Sequence, residues 1–184
     1  MPTPNTGNLI HAPGKLVKDP TDFTATFPMG GTALGSAEGI VCVPSIGSVP
    51  LVASEFGTVY ETVYTGERWT LSCALREWHD DINSVIFPRV DTGTVTGLNI
   101  VEHDHTAYRA GQLQSASSMA LLFVSDDPLS VPSIYFKRAI VMLEQTARLQ
   151  LTLAEMLVFP VMFRAIPPTS GPAVQMGLLE DLIV

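Results

Sequence analysis

Residues 65–88 read TGERWTLSCALREWHDDINSVIFP, and two periods meet inside them. From Arg68 to Arg76, the residues Trp69, Leu71, Cys73 and Leu75 alternate with Arg68, Thr70, Ser72, Ala74 and Arg76. A period of two sends one set to each side of a strand, so this strand has one apolar face. After it the period lengthens: Trp78, Ile82, Val85 and Ile86 stand at helical spacing. Asp80 or Asp81 caps that start and complements the helix dipole, and Pro88 ends it. The expectation is a helix over residues 79–87, about two turns long, which is too short to stand alone and must pack on a sheet. Thr65-Gly66-Glu67 reads as the turn before the strand.

Outward from this segment the chain keeps a β rhythm. Fourteen Pro and fourteen Gly divide it into short apolar stretches, as in folds of many strands and turns. Upstream, Thr58 to Tyr64 alternates, with Thr58, Tyr60, Thr62 and Tyr64 on one face and Val59, Glu61 and Val63 on the other. A Thr/Tyr face suits a partly polar contact with another subunit. Before it come strand signals at Glu38–Val43 and Leu51–Ala53, separated by Pro44 to Pro50. Residues 1–35 read as an N-terminal loop region, with a short strand or hairpin at Asn8–Ile10 and Lys15–Val17. Downstream, Val90–Thr94 and Leu98–Val101 are weaker strand candidates. Met119–Val124 is a continuous apolar run expected to be buried on both faces. Ser133–Leu143 and Leu157–Ile166 read as strands, the second carrying Pro160, which belongs at an edge or bulge. Leu149, Leu151 and Leu153 alternate as a strand would, although Arg138–Glu155 also has helix-forming composition. The expected fold class is mainly β, with two antiparallel sheets packed as a sandwich or barrel and one short flanking helix. Residues 1–184 form a single domain ending in a C-terminal arm, 167–184.

The composition narrows the function. Charged residues are 15% of the 184, against roughly 25% in ordinary soluble domains, and mean hydropathy is +0.29. A surface this poor in charge is expected to be partly hidden against other subunits. The net charge of −8, with scattered Lys and Arg, argues against gripping nucleic acid. No apolar run approaches the ~18 residues that span a membrane, and Met1–Gly14 lacks a signal-peptide pattern, so assembly in the cytoplasm is expected. The terminus, Gly177 to Val184, is apolar and needs a docking place. Leu178, Leu179, Leu182, Ile183 and Val184 dock either on their own domain or, as an arm, on a neighbouring subunit. The second alternative predicts that removing Gly177 to Val184 weakens assembly more than folding.

The sequence offers little chemistry. Glu102-His103-Asp104-His105 puts two imidazoles on one side of a strand, but two ligands do not make a metal site. His79-Asp80-Asp81 reads as a helix start, and Asp126-Asp127-Pro128 as a turn. Gly-x-Ser-x-Gly, Gly-x-x-x-x-Gly-Lys and Gly-x-Gly-x-x-Gly are all absent. Cys42 and Cys73 lie in apolar runs and read as two buried free thiols. No catalytic residue, cofactor or metal is expected, and the chain is not expected to be an enzyme.

The order of features resembles the major tail-tube proteins of long-tailed bacteriophages. It runs from Asn8-Leu9-Ile10 and Asp19-Pro20-Thr21-Asp22-Phe23 through Thr32-Ala33-Leu34-Gly35 and Glu38-Gly39-Ile40 to the segment quoted above. It continues in Ile134-Tyr135-Phe136-Lys137-Arg138-Ala139, Leu149 to Leu153 and the closing stretch Phe159 to Pro167. No marker of that family lies in Arg89 to Ser117. The resemblance implies two antiparallel sheets with a helix against one side, six subunits to a ring, and rings stacked into a hollow tube. Type VI secretion tubes share this fold. It further implies a virion location in the tail and partners that are other copies of the chain and other tail proteins: terminator, tape measure, distal tail protein and, in contractile tails, sheath. Genomic DNA would pass the lumen without specific binding, and acidic groups lining it would repel phosphate. A head–tail connector, a distal tail protein or a capsid decoration protein is the alternative station. An unrecognised enzyme or ligand-binding β-domain is the third class.

Overall fold

Trp69–Leu75 is a strand whose inward set is Leu71, Cys73 and Leu75, all buried, while Thr70, Ser72 and Ala74 are partly exposed on the outer side. It belongs to a longer element. The computed structural model describes residues 13–53, 58–77, 79, 81, 82, 85, 114–142 and 159–183. Among them are seven strands: β1 (Gly14–Lys18), β2 (Thr32–Ala53), β3 (Thr58–Leu75), β4 (Met119–Ser125), β5 (Ser133–Met142), β6 (Phe159–Ala165) and β7 (Val174–Gly177). Short 3-10 turns lie at Gln114–Ser117 and Leu179–Asp181.

These strands form one antiparallel sheet in the order β4-β1-β2-β3-β6-β5-β7. The expected pair of sheets is therefore not what the pairing shows. β4 also pairs with β5, so the hydrogen-bond circuit β4-β1-β2-β3-β6-β5 returns to its start. β7 pairs with Ser133–Phe136 and β6 with Ala139–Met142, so β5 has two successive partners along its length. Inside the circuit, Leu16, Leu34, Leu71, Leu75, Leu121, Phe136 and Phe163 share one buried cluster. A ring of so few strands has an interior that side chains fill.

A second buried cluster lies on the opposite side of β1 and β4. Leu16 and Val17 are neighbours in β1, and both are fully buried, in different clusters. Val17, Leu122, Val124 and Tyr135 are covered by Phe23 and Met29 from the β1–β2 connection and by Leu182 from the C-terminus. The Phe23 and Tyr135 rings meet edge-on at 4.9 Å. Asp19 ties the connection to β4: its carboxylate accepts from the Ala120 N–H at 2.8 Å, and its own N–H donates to the Ala120 carbonyl at 2.9 Å. This covering explains why Met119–Val124 reads as apolar on both faces.

Of the expected helix over 79–87, the described residues Asp81, Ile82 and Val85 have helical backbone, and the others apart from His79 lie outside the described set. Ile82 and Val85 are buried in the ring's cluster, as an amphipathic face requires. The approach is held by Glu77, whose carboxylate accepts from the Ser36 N–H at 2.9 Å and lies directly over Gly35. A Cβ at position 35 would stand 2.5 Å from the Glu77 carboxyl carbon, and Gly35 has a φ of +82, so glycine is required twice over.

Several boundaries differ from the sequence reading. Thr65-Gly66-Glu67 is not a turn but an irregularity within β3: the register slips between Gly47 and Ser48, and Gly66 has a φ of +126. Pro44 to Pro50 does not break the strand. Thr32–Gly35 is strand, not loop, and β7 lies within the segment read as a C-terminal arm. Pro160 is tolerated because it sits where β6 has β3 on one side while, among the described residues, its pairing to β5 begins at Met162. The strand candidates at 8–10, 90–94, 98–101 and 149–153 lie outside the described residues, as does Glu102-His103-Asp104-His105.

Candidate subunit interface

The ring engages only part of β2 and β3. β1 pairs with β2 as far as Ala37, and β6 pairs with β3 only from Thr70 onward. Beyond those limits β2 and β3 pair with each other alone, down to Ala53 opposite Thr58. The result is a two-stranded arm that leaves the ring, with neither long edge paired among the described residues. A lone hairpin is marginal in water, yet this one is long and apolar.

Register assigns its faces. On one face, β2 contributes Val41, Val43, Ser45, Gly47, Val49 and Leu51; β3 opposes them with Ser72, Thr70, Arg68, Gly66, Val63 and Glu61. Its five aliphatic residues Val41, Val43, Val49, Leu51 and Val63 are 43–53% exposed. The other face carries Pro44, Ile46, Ser48 and Pro50 opposite Trp69, Glu67, Tyr64 and Thr62. Ile46 and Tyr64 are the most exposed large residues there, at 67% and 57%. The Tyr64 hydroxyl bonds the Glu67 carboxylate across the slip in register. Partial desolvation and that carboxylate hold the phenol above its ordinary range.

Pro44 and Pro50 have the same parity on β2, so both missing N–H groups fall on one edge. Because both residues still pair with β3, that edge is the outer one. Proline on a free edge blocks strand addition there. The β3 edge from Thr58 to Arg68 has no proline.

Of the residues expected at an interface, Thr62 and Tyr64 are exposed on the arm. Thr58 and Tyr60 lie in the arm's backbone, their side chains outside the described set; the register slips by one residue between Leu51 and Val52, beside Tyr60, which interrupts the expected alternation. The C-terminal residues lie elsewhere. Leu182 is buried in the second cluster, Leu179 packs on it, and Leu178 is partly exposed. Gln175 in β7 pins the terminus from both sides: its Nε2 donates to the Ile183 carbonyl at 2.9 Å, and its Oε1 accepts from the Ile183 N–H at 3.0 Å. Ile183 itself is exposed, and Val184 is not among the described residues. Sequence reading missed the aliphatic face of β2, because Pro44 and Pro50 looked like chain breaks. The signal available was the spacing of Val41, Val43, Val49 and Leu51, all of one parity.

Among the described residues, no cluster of three His, Cys, Asp or Glu residues suits a metal ion. His79 stands 3.7 Å from Asp81 and 3.9 Å from Glu77, at partly exposed positions. Asp127 builds the expected turn: its carbonyl accepts from the N–H groups of Ser130 and Val131. Cys42 and Cys73 are free thiols on the inward side of β2 and β3. Burial raises both and pushes Cys73 from 9.0 up to about 12. In the folded protein at pH 8, Cys73 should therefore resist iodoacetamide, with full labelling only after denaturation. Rapid native labelling of Cys73, read by peptide mass spectrometry, would contradict its burial. The same shift makes stability fall as pH rises from about 9 toward 12, because the unfolded thiol ionises first.

No helix among the described residues is long and apolar enough to cross a membrane. No protein-family model and no curated protein matches the chain.

Proposed function

We propose that the chain is a structural protein that assembles with copies of itself, and that it serves as the subunit of a phage-type tail tube. The observation that carries the self-assembly reading is the arm of β2 and β3, whose exposed aliphatic residues, beside edges unpaired among the described residues, call for a partner surface. An edge strand left this apolar invites association, and the low charge of the chain works in the same direction. The specific station rests on the resemblance in feature order. Two packed sheets with a flanking helix would be the finer description of such a subunit; the closed pairing circuit and the buried Ile82 and Val85 are compatible with it. Rings of six subunits, stacked into a tube, would enclose a channel between subunits.

Negative-stain electron microscopy of the purified full chain at high concentration tests this. Rings stacked into tubes of indefinite length are the expected image. Single rings that never stack would point instead to a head–tail connector or another virion component of fixed length. A strictly monomeric protein across the concentration range would overturn the assembly reading.

A further inference from the structure

The outer face of the arm carries opposite charges at its two ends. At the base, Arg164 of β6 is directly opposite Thr70 of β3, and Arg68 lies two residues further along the same face. Neither arginine forms an ion pair among the described residues, and the buried Nε of Arg164 has no hydrogen-bond partner there. Further along the same face, Glu38 is paired with Arg76. Towards the tip, exposed Glu61 stands on the same face opposite Leu51, also outside any ion pair among the described residues. Arg68 and Glu61 are seven positions apart, or roughly 20 Å of strand. Between and beside them lie Val41, Val43, Val49 and Val63. In a chain of net charge −8, two unpaired arginines on one face form a local exception that an acidic partner complements.

We infer that the arm docks on a second copy of this chain, tip onto base, with Glu61 of one copy placed against Arg68 and Arg164 of the next and the valines buried between them. This rests on the self-assembly reading and deepens it by assigning the contact and its polarity. Tip and base are different patches of one face, so the contact either closes as a two-fold pair in which each tip meets the other's base or, staggered, continues from copy to copy until a ring closes. Complementary charge fixes the register and disfavours the like-charged alternatives. The proline-blocked outer edge of β2 leaves face contact, rather than strand addition at that edge, as the route.

Charge reversal tests it. Glu61→Arg sets like charges at the contact, and so does Arg68→Glu. Each alone should raise the concentration needed for assembly by about tenfold or more, since like charges across an interface are strongly unfavourable. An equal mixture of the two variants should restore assembly, because the Glu61→Arg tip meets the Arg68→Glu base and the remaining contact is native. Thermal unfolding checks that each variant is folded. Arg164→Gln, which removes a charge without reversing it, should weaken assembly in the same direction and reduce its salt dependence. Wild-type assembly that is indifferent to both reversals, or a mixture no better than its components, overturns the tip-to-base contact while leaving self-assembly standing. Wild-type protein that stays monomeric overturns both.

Discussion

Replacing Val49 with Lys and Val63 with Glu should abolish assembly at concentrations where the natural chain assembles, with little change in thermal stability. The two valines are directly opposed on the arm's outer face and about half exposed. Opposite charges at opposed positions keep a favourable cross-strand pair, so the hairpin itself is spared. Exposed substitutions of this kind ordinarily change stability by less than about 0.5 kcal/mol. At an interface the same residues matter far more. Fully burying a valine side chain contributes roughly 1.5–3 kcal/mol, and these two are already about half buried, so losing both removes on the order of 1.5–3 kcal/mol per contact. The cost of desolvating the two introduced charges adds to this, for about a 100-fold or greater rise in the concentration required. Sedimentation velocity gives the assembly threshold, and circular dichroism gives the melting temperature. A double variant that assembles like the natural chain would show that this face is not the contact. A variant that fails to fold would show that the arm is part of the core.

The alternation of Trp69 to Leu75 was legible because the inner side of β3 meets a uniform apolar interior and its outer side does not. Met119–Val124 was legible for the opposite reason: β4 is covered on both faces, so every residue is apolar. The arm was harder to read. It is exposed on both faces, so neither side is forced to be polar or apolar by the chain's own core, and its prolines are placed by a free edge that sequence does not display. Gly66 looks like a turn residue because a slip in strand register and a turn both call for positive φ. The sheet's closure was illegible as well, since it depends on β4 meeting β5 and on β3 meeting β6, and no local pattern encodes which strands become neighbours. The same holds for the proposed contact: Glu61, Arg68 and Arg164 share a face only once the register of three strands is known.

The C-terminus shows how packing changes an expectation. An apolar terminal segment fits either a free arm or a strap on its own domain. Leu182 is buried beside Val17, Phe23, Met29, Leu122 and Tyr135, and Gln175 holds Ile183 with two hydrogen bonds. Removing residues 178–184 should therefore lower stability before it touches assembly. Leucine-to-alanine changes at such sites cost roughly 2–5 kcal/mol. With the pin lost as well, the melting temperature should fall by on the order of 5–15 °C for a chain of this size. Leu182→Ala should account for most of that loss, and Gln175→Ala for a smaller part, because a hydrogen bond contributes about 1 kcal/mol net. At temperatures where the truncated chain is still folded, its assembly threshold should match that of the full chain, since the arm of β2 and β3 is untouched. The opposite pattern, unchanged melting with lost assembly, would return the terminus to the role of an intersubunit arm. Exposed Ile183 would then be the residue to substitute next, because it is the most exposed apolar residue described in 178–183.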